Sequence, residues 1–148
     1  MDFMKQAFIC ANKAAKHDDV PIGAVIVCDG KIIARGRNKV QLNKNPTLHA
    51  EIDAINKACK KLAAKFLDNC EIYVTLEPCA MCATAISYAR IKNIYFAAMD
   101  EKGGGIFHNS KIFETDKHLW KPFVQQLPKY EEQSAIMLKE FFKSKRKI

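Results

Sequence analysis

The sequence contains no apolar run that approaches the length of a membrane-spanning helix. Its first residues, Met1 to Gln6, lack the basic leader, apolar block and cleavage site of a secretory signal peptide. It also contains no internal repeat and no low-complexity linker. We therefore expect a cytoplasmic protein without a membrane partner, and we expect residues 1–148 to form a single domain.

The chain has six cysteines, which in a cytoplasmic protein are expected to be thiols or metal ligands rather than disulfides. Two of them, Cys10 and Cys59, fall on apolar faces of expected helices and are predicted to lie in the core.

Lysine and arginine outnumber aspartate and glutamate by 24 to 16, which gives a net charge of +8. This excess favours an acidic partner such as nucleic acid, although many basic proteins use it only for solubility.

Hydrophobic periodicity predicts helices that alternate with strands. Helices are expected over residues 2–16, 49–64, 80–89 and 130–144, and strands over 23–28, 31–35, 72–76 and 93–99. Asp29-Gly30 between the first two strands is typical of a hairpin turn. Residues 106–129 show only helical pieces broken by Pro122 and Pro128. This order predicts a mixed sheet with helices on both faces.

The expected helices have apolar faces that should pack on the sheet. The apolar face of the first helix carries Phe3, Ala7, Cys10 and Ala14. The apolar face of the second helix carries Ile52, Ile55, Cys59 and Leu62. In the last helix, the spacing predicts that at least one of Phe141 and Phe142 is buried in the core.

Three metal-binding side chains occur at the starts of two expected helices. His49 opens one helix, and Cys79 and Cys82 lie three residues apart at the start of another. Zinc binds thiolate and imidazole ligands tetrahedrally, and a catalytic site uses three protein ligands and leaves one position for water. Glu51 would then lie beside the metal, where a carboxylate can move protons. Each feature alone has an alternative, since a Cys-x-x-Cys pair can be redox-active or structural and a helix-opening histidine can be a cap.

The combination of His-x-Glu with Pro-Cys-x-x-Cys about thirty residues later is the signature of zinc nucleobase deaminases. The chain resembles the cytidine/deoxycytidylate deaminase superfamily, and within it the bacterial tRNA-specific adenosine deaminases. The resemblance extends over nearly the whole chain, through DVPIGAVIV (19–27), GRN (36–38), PTLHAEI (46–52), YVTLEPCAMC (73–82), ARI (89–91), Asp100 with Lys102, and EFFKSKRK (140–147).

The resemblance implies an α/β fold, a three-layer α/β/α sandwich with a central five-stranded mixed sheet. It also implies zinc-dependent hydrolysis of adenosine to inosine at the wobble position of a tRNA anticodon. The partners would be the anticodon stem-loop and a second copy of the chain in a homodimer. His49, Cys79 and Cys82 would hold zinc, and Glu51 would be the proton shuttle.

The same resemblance implies which residues contact the substrate. Asn38 would hydrogen-bond the base or ribose, the Ala50 backbone N–H would read the purine edge, and Val20 and Leu76 would be apolar walls. The RNA would meet Asp100, Lys102, Phe142 and the basic tail, which contains Lys139, Lys143, Lys145, Arg146 and Lys147. Each role has an alternative. Asn38 could simply be a turn residue, Val20 and Leu76 could be ordinary core residues, and the basic tail could be a solvated end of the chain.

Three features depart from the family pattern: Thr84 stands where glycine is usual, Met99 precedes Asp100, and a Gly103-Gly104-Gly105 run follows Lys102. Because residues 103–109 are expected near the anticodon stem, this change bears on which RNA is used.

Two other functions remain open. A deaminase of a free nucleobase or nucleoside, of the guanine or cytosine type, would not need the basic tail, and a zinc-stabilised RNA-binding module would not need Glu51.

Overall fold

The computed structural model describes residues 1–146, and its five strands form one mixed sheet. The strands are β1 (Gly23–Cys28), β2 (Lys31–Arg37), β3 (Cys70–Leu76), β4 (Asn93–Ala98) and β5 (Phe123–Gln126). Their order across the sheet is β2-β1-β3-β4-β5. Strand β1 is antiparallel to both neighbours, whereas β3, β4 and β5 are parallel to one another. The five-stranded mixed sheet is therefore confirmed.

Helices cover both faces of this sheet. They are α1 (Phe3–Lys16), α2 (Ala50–Leu62), α3 (Ala80–Tyr88), α4 (Ile112–Thr115) and α5 (Glu131–Lys145), with a 3-10 turn at Pro128–Tyr130. Successive residues of a strand point to opposite faces, and both faces of β1 are buried. Val25 and Val27 pack with α1 and α5, and Ala24 and Ile26 pack with α2 and α3. The three-layer α/β/α sandwich is confirmed.

The connection between β1 and β2 is the predicted hairpin turn. Asp29 and Gly30 have φ values of 53° and 75°, and positive φ at both central residues is what a type I′ turn requires.

Within residues 1–146, none of the helices combines the length and the apolar character that a membrane span needs.

The predicted buried face of α2 is wrong in detail. Ala50, Ala54 and Ala58 are fully buried, whereas Ile55 and Cys59 only flank the core and Leu62 is 43% exposed. The physical reason is a close approach between α2 and β2, since a side chain on Gly36 would collide with the backbone of α2. The alanine face fits against this glycine, and the larger residues are turned aside.

The predicted burial of the Phe141–Phe142 pair is also wrong. Phe141 is half-buried and Phe142 is 44% exposed, and neither belongs to a core cluster. Helix α5 packs on the core through Ser134 and Met137, and the two phenylalanines lie at least one turn further on. They pack edge to face on each other instead, with ring centroids 5.4 Å apart.

Two further expectations need correction. Cys28 and Cys70 form a disulfide, so the six cysteines are not all thiols or metal ligands. These two residues face each other across β1 and β3, and their Cα separation of 4.4 Å is within the range that a disulfide needs. The region 106–129 contains one four-residue helix, α4, and the start of the 3-10 turn at Pro128, but it also contains the strand β5, which was not predicted from the sequence. Cys10 is buried in the core as predicted, and Cys59 is half-buried against it.

Candidate functional site

The three predicted metal ligands meet where α2 and α3 begin. His49 is the N-cap residue of α2 and Cys79 is the N-cap residue of α3, and neither side chain caps its own helix. The Nδ1 atom of His49 lies 3.7 Å from Sγ of Cys79 and 3.5 Å from Sγ of Cys82. The three ligand atoms all lie within 4.8 Å of one another. The side chains are therefore free to share one ion.

This donor set fits a zinc ion. With Zn–S and Zn–N bonds of about 2.3 and 2.0 Å, tetrahedral coordination places neighbouring ligand atoms roughly 3.6 Å apart. The observed separations of 3.5 and 3.7 Å agree with that requirement. Two helix N-termini also point their positive dipole ends at the site, which favours thiolate ligands.

The charges of the two thiols are strongly linked. A hydrogen bond from Cys82, with His49 also close by, lowers the pKa of Cys79 to about 4. The same hydrogen bond raises the pKa of Cys82 far above its usual range. Because zinc binds cysteine as thiolate, metal binding must release the proton that the raised pKa of Cys82 favours.

Glu51 lies in the first turn of α2, close to all three ligands, and only 4% of its surface is exposed. Burial raises the pKa of its carboxyl group to about 7, although the charge of His49 acts in the opposite direction. A carboxyl group near this value can both accept and return a proton at neutral pH. The site therefore offers a metal position with a proton carrier beside it.

An open cavity of about 970 Å³ lies over His49. Its lining includes Val20, Asn38 and Pro46 together with Phe141 and Phe142 from α5. Asn38 is 6% exposed, and its Oδ1 atom has no hydrogen-bond partner within residues 1–146. Because buried polar atoms are nearly always paired, this oxygen is available to a ligand. We call this space the substrate cavity.

A second cavity of about 550 Å³ adjoins the substrate cavity, since Val20 and Phe142 line both. It brings together three more of the predicted substrate-binding residues, Leu76, Asp100 and Lys102. Ala50 is buried as the first residue of α2, where backbone N–H groups have no acceptor within the helix.

The remaining predicted RNA contacts are less well placed. Lys143 and Arg146 are exposed near the end of α5 and line neither cavity, and Lys147 lies outside the described residues. The carboxylate of Asp100 accepts hydrogen bonds from the backbone of Lys102 at 3.2 Å and Gly103 at 3.0 Å. Asp100 is thus engaged in shaping its own turn.

Sequence reasoning missed Glu77, whose side chain is fully buried two residues before Cys79. Its carboxylate accepts backbone hydrogen bonds from Asp100, Ile106 and Phe107 at 3.1, 3.2 and 2.9 Å, and its Oε1 atom lies 2.7 Å from Nδ1 of His108. Burial alone would raise the pKa of Glu77, but these hydrogen bonds hold it below its usual value. Glu77 therefore fastens the loop after β4 to the metal-binding segment.

Close contacts in this region account for two glycines of the run that departs from the family pattern. A side chain on Gly104 would collide with the Glu77 carboxylate, and one on Gly105 would collide with the backbone of Ala80. The sequence offered one signal for Glu77, its position directly before Pro78 and Cys79. Its hydrogen-bond partners could not be predicted, because the backbone donors of residues 106–107 leave no pattern in a sequence.

Asp19 is a second missed residue. It is 1% exposed, and its carboxylate accepts the backbone N–H groups of Gln41 at 2.7 Å and Leu42 at 3.1 Å. It therefore holds the loop that forms one wall of the substrate cavity. The signal was its place at the start of the DVPIGAVIV segment, directly before Val20.

Comparison with known proteins agrees with this geometry. Residues 1–146 match the family model described as MafB19-like deaminase. The chain belongs to the MafB19-like deaminase family. A tRNA-specific adenosine deaminase of Agrobacterium fabrum is 43% identical over 144 residues, which cover 97% of this chain and 94% of the relative.

A solved structure from studies of A-to-I editing by tRNA:A34 deaminases at the wobble position of transfer RNA has a TM-score of 0.88 to this deaminase. The two chains are 43% identical, and the match covers 92% of this chain and 98% of the other. The guanine deaminase of Bacillus subtilis is 55% identical over 78 residues, which cover 53% of this chain and 50% of the relative.

These findings confirm the predicted family resemblance and the predicted zinc-dependent hydrolase of the deaminase type. The His/Cys/Cys cluster is typical of the zinc site in this family, so zinc is the cofactor of this deaminase.

Proposed function

We propose that this deaminase converts adenosine to inosine at the wobble position of a tRNA anticodon. The observation that carries the proposal is the lining of the substrate cavity, which combines buried Asn38 and half-buried His49 with Phe142 and Lys145 of the C-terminal helix. A free base would need only Asn38 and His49. The aromatic side chain suits stacking on a neighbouring base, and the basic side chain suits contact with a phosphate. Similarity to tRNA-specific adenosine deaminases over almost the whole chain supports the same conclusion.

In this proposal His49, Cys79 and Cys82 would hold zinc, which would supply a water molecule that is readily deprotonated near neutral pH. Glu51 takes one proton from the attacking water and delivers it to the ring nitrogen beside the attacked carbon, while the remaining hydroxyl bonds to that carbon. The carbon then carries both a hydroxyl and an amino group. Glu51 next takes the hydroxyl proton and passes it to the amino group, which leaves as ammonia while the carbonyl forms, and the product is inosine.

The base is oriented by groups that the structure leaves available. Asn38 lines the substrate cavity, and its Oδ1 atom has no partner within residues 1–146. The backbone N–H of Ala50 opens α2 beside His49. Val20 and Leu76 supply apolar contact. Together these polar and apolar groups favour a flat base with a polar edge, which enters from the open side of the cavity.

The anticodon loop is a suitable substrate because its bases are already unpaired and can enter the cavity at low energetic cost. Phe142 is exposed where the two cavities adjoin, so it is placed to stack on a neighbouring base. Lys102, Lys143 and Arg146 are exposed and can contact phosphates, while Asp100 shapes the turn that carries Lys102.

We also propose that this deaminase is a single-domain, cytoplasmic homodimer. The helices that carry the metal ligands expose large apolar side chains, namely Leu62 at 43%, Met81 at 37% and Tyr88 at 70%. Exposed apolar groups on adjoining helices suit a protein interface. Sedimentation of the purified protein at several concentrations tests the dimer, and a concentration-independent monomer would contradict it.

The decisive experiment is to treat tRNA with the purified zinc enzyme and to measure inosine by mass spectrometry at the wobble position. Conversion there, without conversion of other adenosines, is the expected result. The local similarity to guanine deaminase favours one alternative, a free-base deaminase. Ammonia release from free guanine, cytosine or their nucleosides, with no inosine in tRNA, would establish that alternative instead.

A further inference from the structure

A concave site that the proposed reaction does not use lies between α1 and the outer strand β2. Its volume is about 360 Å³, and its lining shares no residue with the substrate cavity. Four of its lining residues are basic, namely Lys13, Arg35, Arg37 and Lys57, and no acidic residue lines it. We call this site the basic pocket.

The cations of the basic pocket are mostly without a negative partner. Arg35 donates from Nη1 to the neutral Oε1 atom of Gln6 at 2.7 Å. Within residues 1–146, Lys13, Arg35 and Arg37 form no salt bridge. The Nε–H group of Arg37 is buried and has no acceptor in that range. A buried donor of this kind is rare in a folded protein, because buried polar groups are nearly always paired.

Within the described chain, Asp53 is the only carboxylate that forms a salt bridge with a cation of the pocket, and it is already occupied. Asp53 accepts from Lys57 at 3.3 Å, from Lys39 at 3.2 Å and from the backbone of Arg37 at 3.1 Å. Lys57 reaches across the outer edge of β2, since its Nζ atom also lies 3.0 Å from the carbonyl oxygen of Arg35. One carboxylate thus faces several cations, and the surplus is positive.

The fold keeps these cations together. Arg35 and Arg37 are two residues apart on β2, so both point to the face that α1 covers. Lys13 belongs to the last turn of α1. The closeness of the like charges costs free energy, and a bound anion would relieve that cost.

We propose that the basic pocket binds a phosphate group. A guanidinium fork can bind two phosphate oxygens at once, and lysine adds a compact positive charge. The nearest source is the backbone of the substrate RNA. Arg37 directly precedes Asn38 of the substrate cavity, and three residues of strand from Arg35 to Asn38 span about 10 Å. That source rests on the proposed function, whereas the phosphate site itself does not.

The test compares the zinc-loaded parent with the double variant Lys13→Gln/Arg35→Gln. Both side chains are exposed, so the variant should fold, and an unchanged melting temperature and zinc content check this. The matched control is Lys31→Gln/Lys121→Gln, which removes the same charge from exposed residues that do not line the pocket.

The first arm titrates inorganic phosphate at low salt by calorimetry. The parent and the control should bind it alike, and the Lys13→Gln/Arg35→Gln variant should bind at least about tenfold more weakly, as expected when two charge-assisted contacts are lost. No binding by the parent, or equal binding by all three proteins, would overturn the phosphate site. This arm needs no RNA, so it is independent of whether tRNA is the substrate.

The second arm measures affinity for an anticodon stem-loop RNA at several salt concentrations. If the RNA backbone is the source, the slope of log affinity against log salt should fall by roughly 1.4 to 1.8 for two lost contacts, and not in the control. Loss of phosphate binding with an unchanged RNA slope would support a site for a small phosphorylated molecule and overturn the RNA source.

Discussion

The metal site, whose His49 lines the substrate cavity, and the end of the C-terminal helix, which lines it too, are built in opposite ways. Cys82 is fully buried and Glu51 is 4% exposed, and both lie in the first turns of helices packed on the sheet. Phe142 is 44% exposed, and the basic residues that follow it lie on the surface. Chemistry that needs fixed distances is thus placed in the rigid part, and contacts that need only charge or stacking are placed where little stability depends on them.

The largest effect should come from removing a buried ligand. Cys82→Ala leaves two protein ligands, so we expect loss of zinc from about one ion per chain and no measurable deamination. Metal analysis of freshly purified protein checks this. Cys59→Ala removes a thiol that flanks the core away from the ligand cluster and should keep the ion. Full zinc retention in Cys82→Ala would show that the metal site is assigned wrongly.

The next largest effect should come from Glu51→Gln, which keeps the shape of the buried side chain but cannot carry a proton. We expect deamination to slow by roughly 10²–10⁴-fold or more, because that is what general acid–base catalysis contributes. Zinc content and melting temperature should stay close to those of the parent.

The control for Glu51→Gln is Glu114→Gln, the same change at an exposed residue of α4. It should leave the rate unchanged. A Glu51→Gln enzyme within tenfold of the parent rate would mean that the carboxylate does not carry the proton.

The metal site could be predicted from the sequence because its parts are local. His49 with Glu51, and Cys79 with Cys82, are each two or three residues apart at the start of a helix, so their geometry follows from helix formation. What joins the two pairs is the meeting of the two helix N-termini, which no local pattern in the sequence fixes.

Other parts could not be predicted, for identifiable physical reasons. The buried face of α2 depends on the contact with Gly36, which belongs to a different element. Strand β5 is short and lies at the edge of the sheet, where Phe123 is 57% exposed, so its pattern is weak. The Cys28–Cys70 disulfide depends on strand register. For α2 and the disulfide, a residue distant in the sequence decides the local outcome.

Truncation after Phe142 tests the exposed part of the comparison. It removes Lys143, Lys145, Arg146 and Lys147, and the slope of log RNA affinity against log salt should fall by up to about 2.8 to 3.6, at 0.7–0.9 per lost contact. Zinc content should not change, because none of the removed residues within the described chain is a candidate ligand.

The matched control for the truncation removes the same charge elsewhere, by changing four exposed lysines, Lys31, Lys92, Lys117 and Lys121, to glutamine. If it flattens the salt dependence equally, net charge rather than the tail attracts RNA. Equal slopes for the parent and the truncated chain would mean that the tail is only a solvated helix end.

The smallest effect concerns Asp18, which lines the substrate cavity and accepts a hydrogen bond from Nζ of Lys145 at 2.8 Å. This ion pair lowers the pKa of Asp18 and is present at neutral pH. It therefore competes with any phosphate for Lys145. Asp18→Asn removes the competitor, and asparagine tolerates the positive φ of 62° at this position.

We expect Asp18→Asn to tighten RNA binding by about twofold to fivefold, the range of a surface ion pair, and to make the salt dependence slightly steeper. Asp29→Asn is a close control, since Asp29 is also exposed, also has a positive φ of 53° and lies in the β1–β2 turn. It should leave affinity unchanged. If Asp18→Asn binds RNA no better than Asp29→Asn, Lys145 makes no phosphate contact. The salt dependence lost on truncation must then come from Lys143, Arg146 and Lys147.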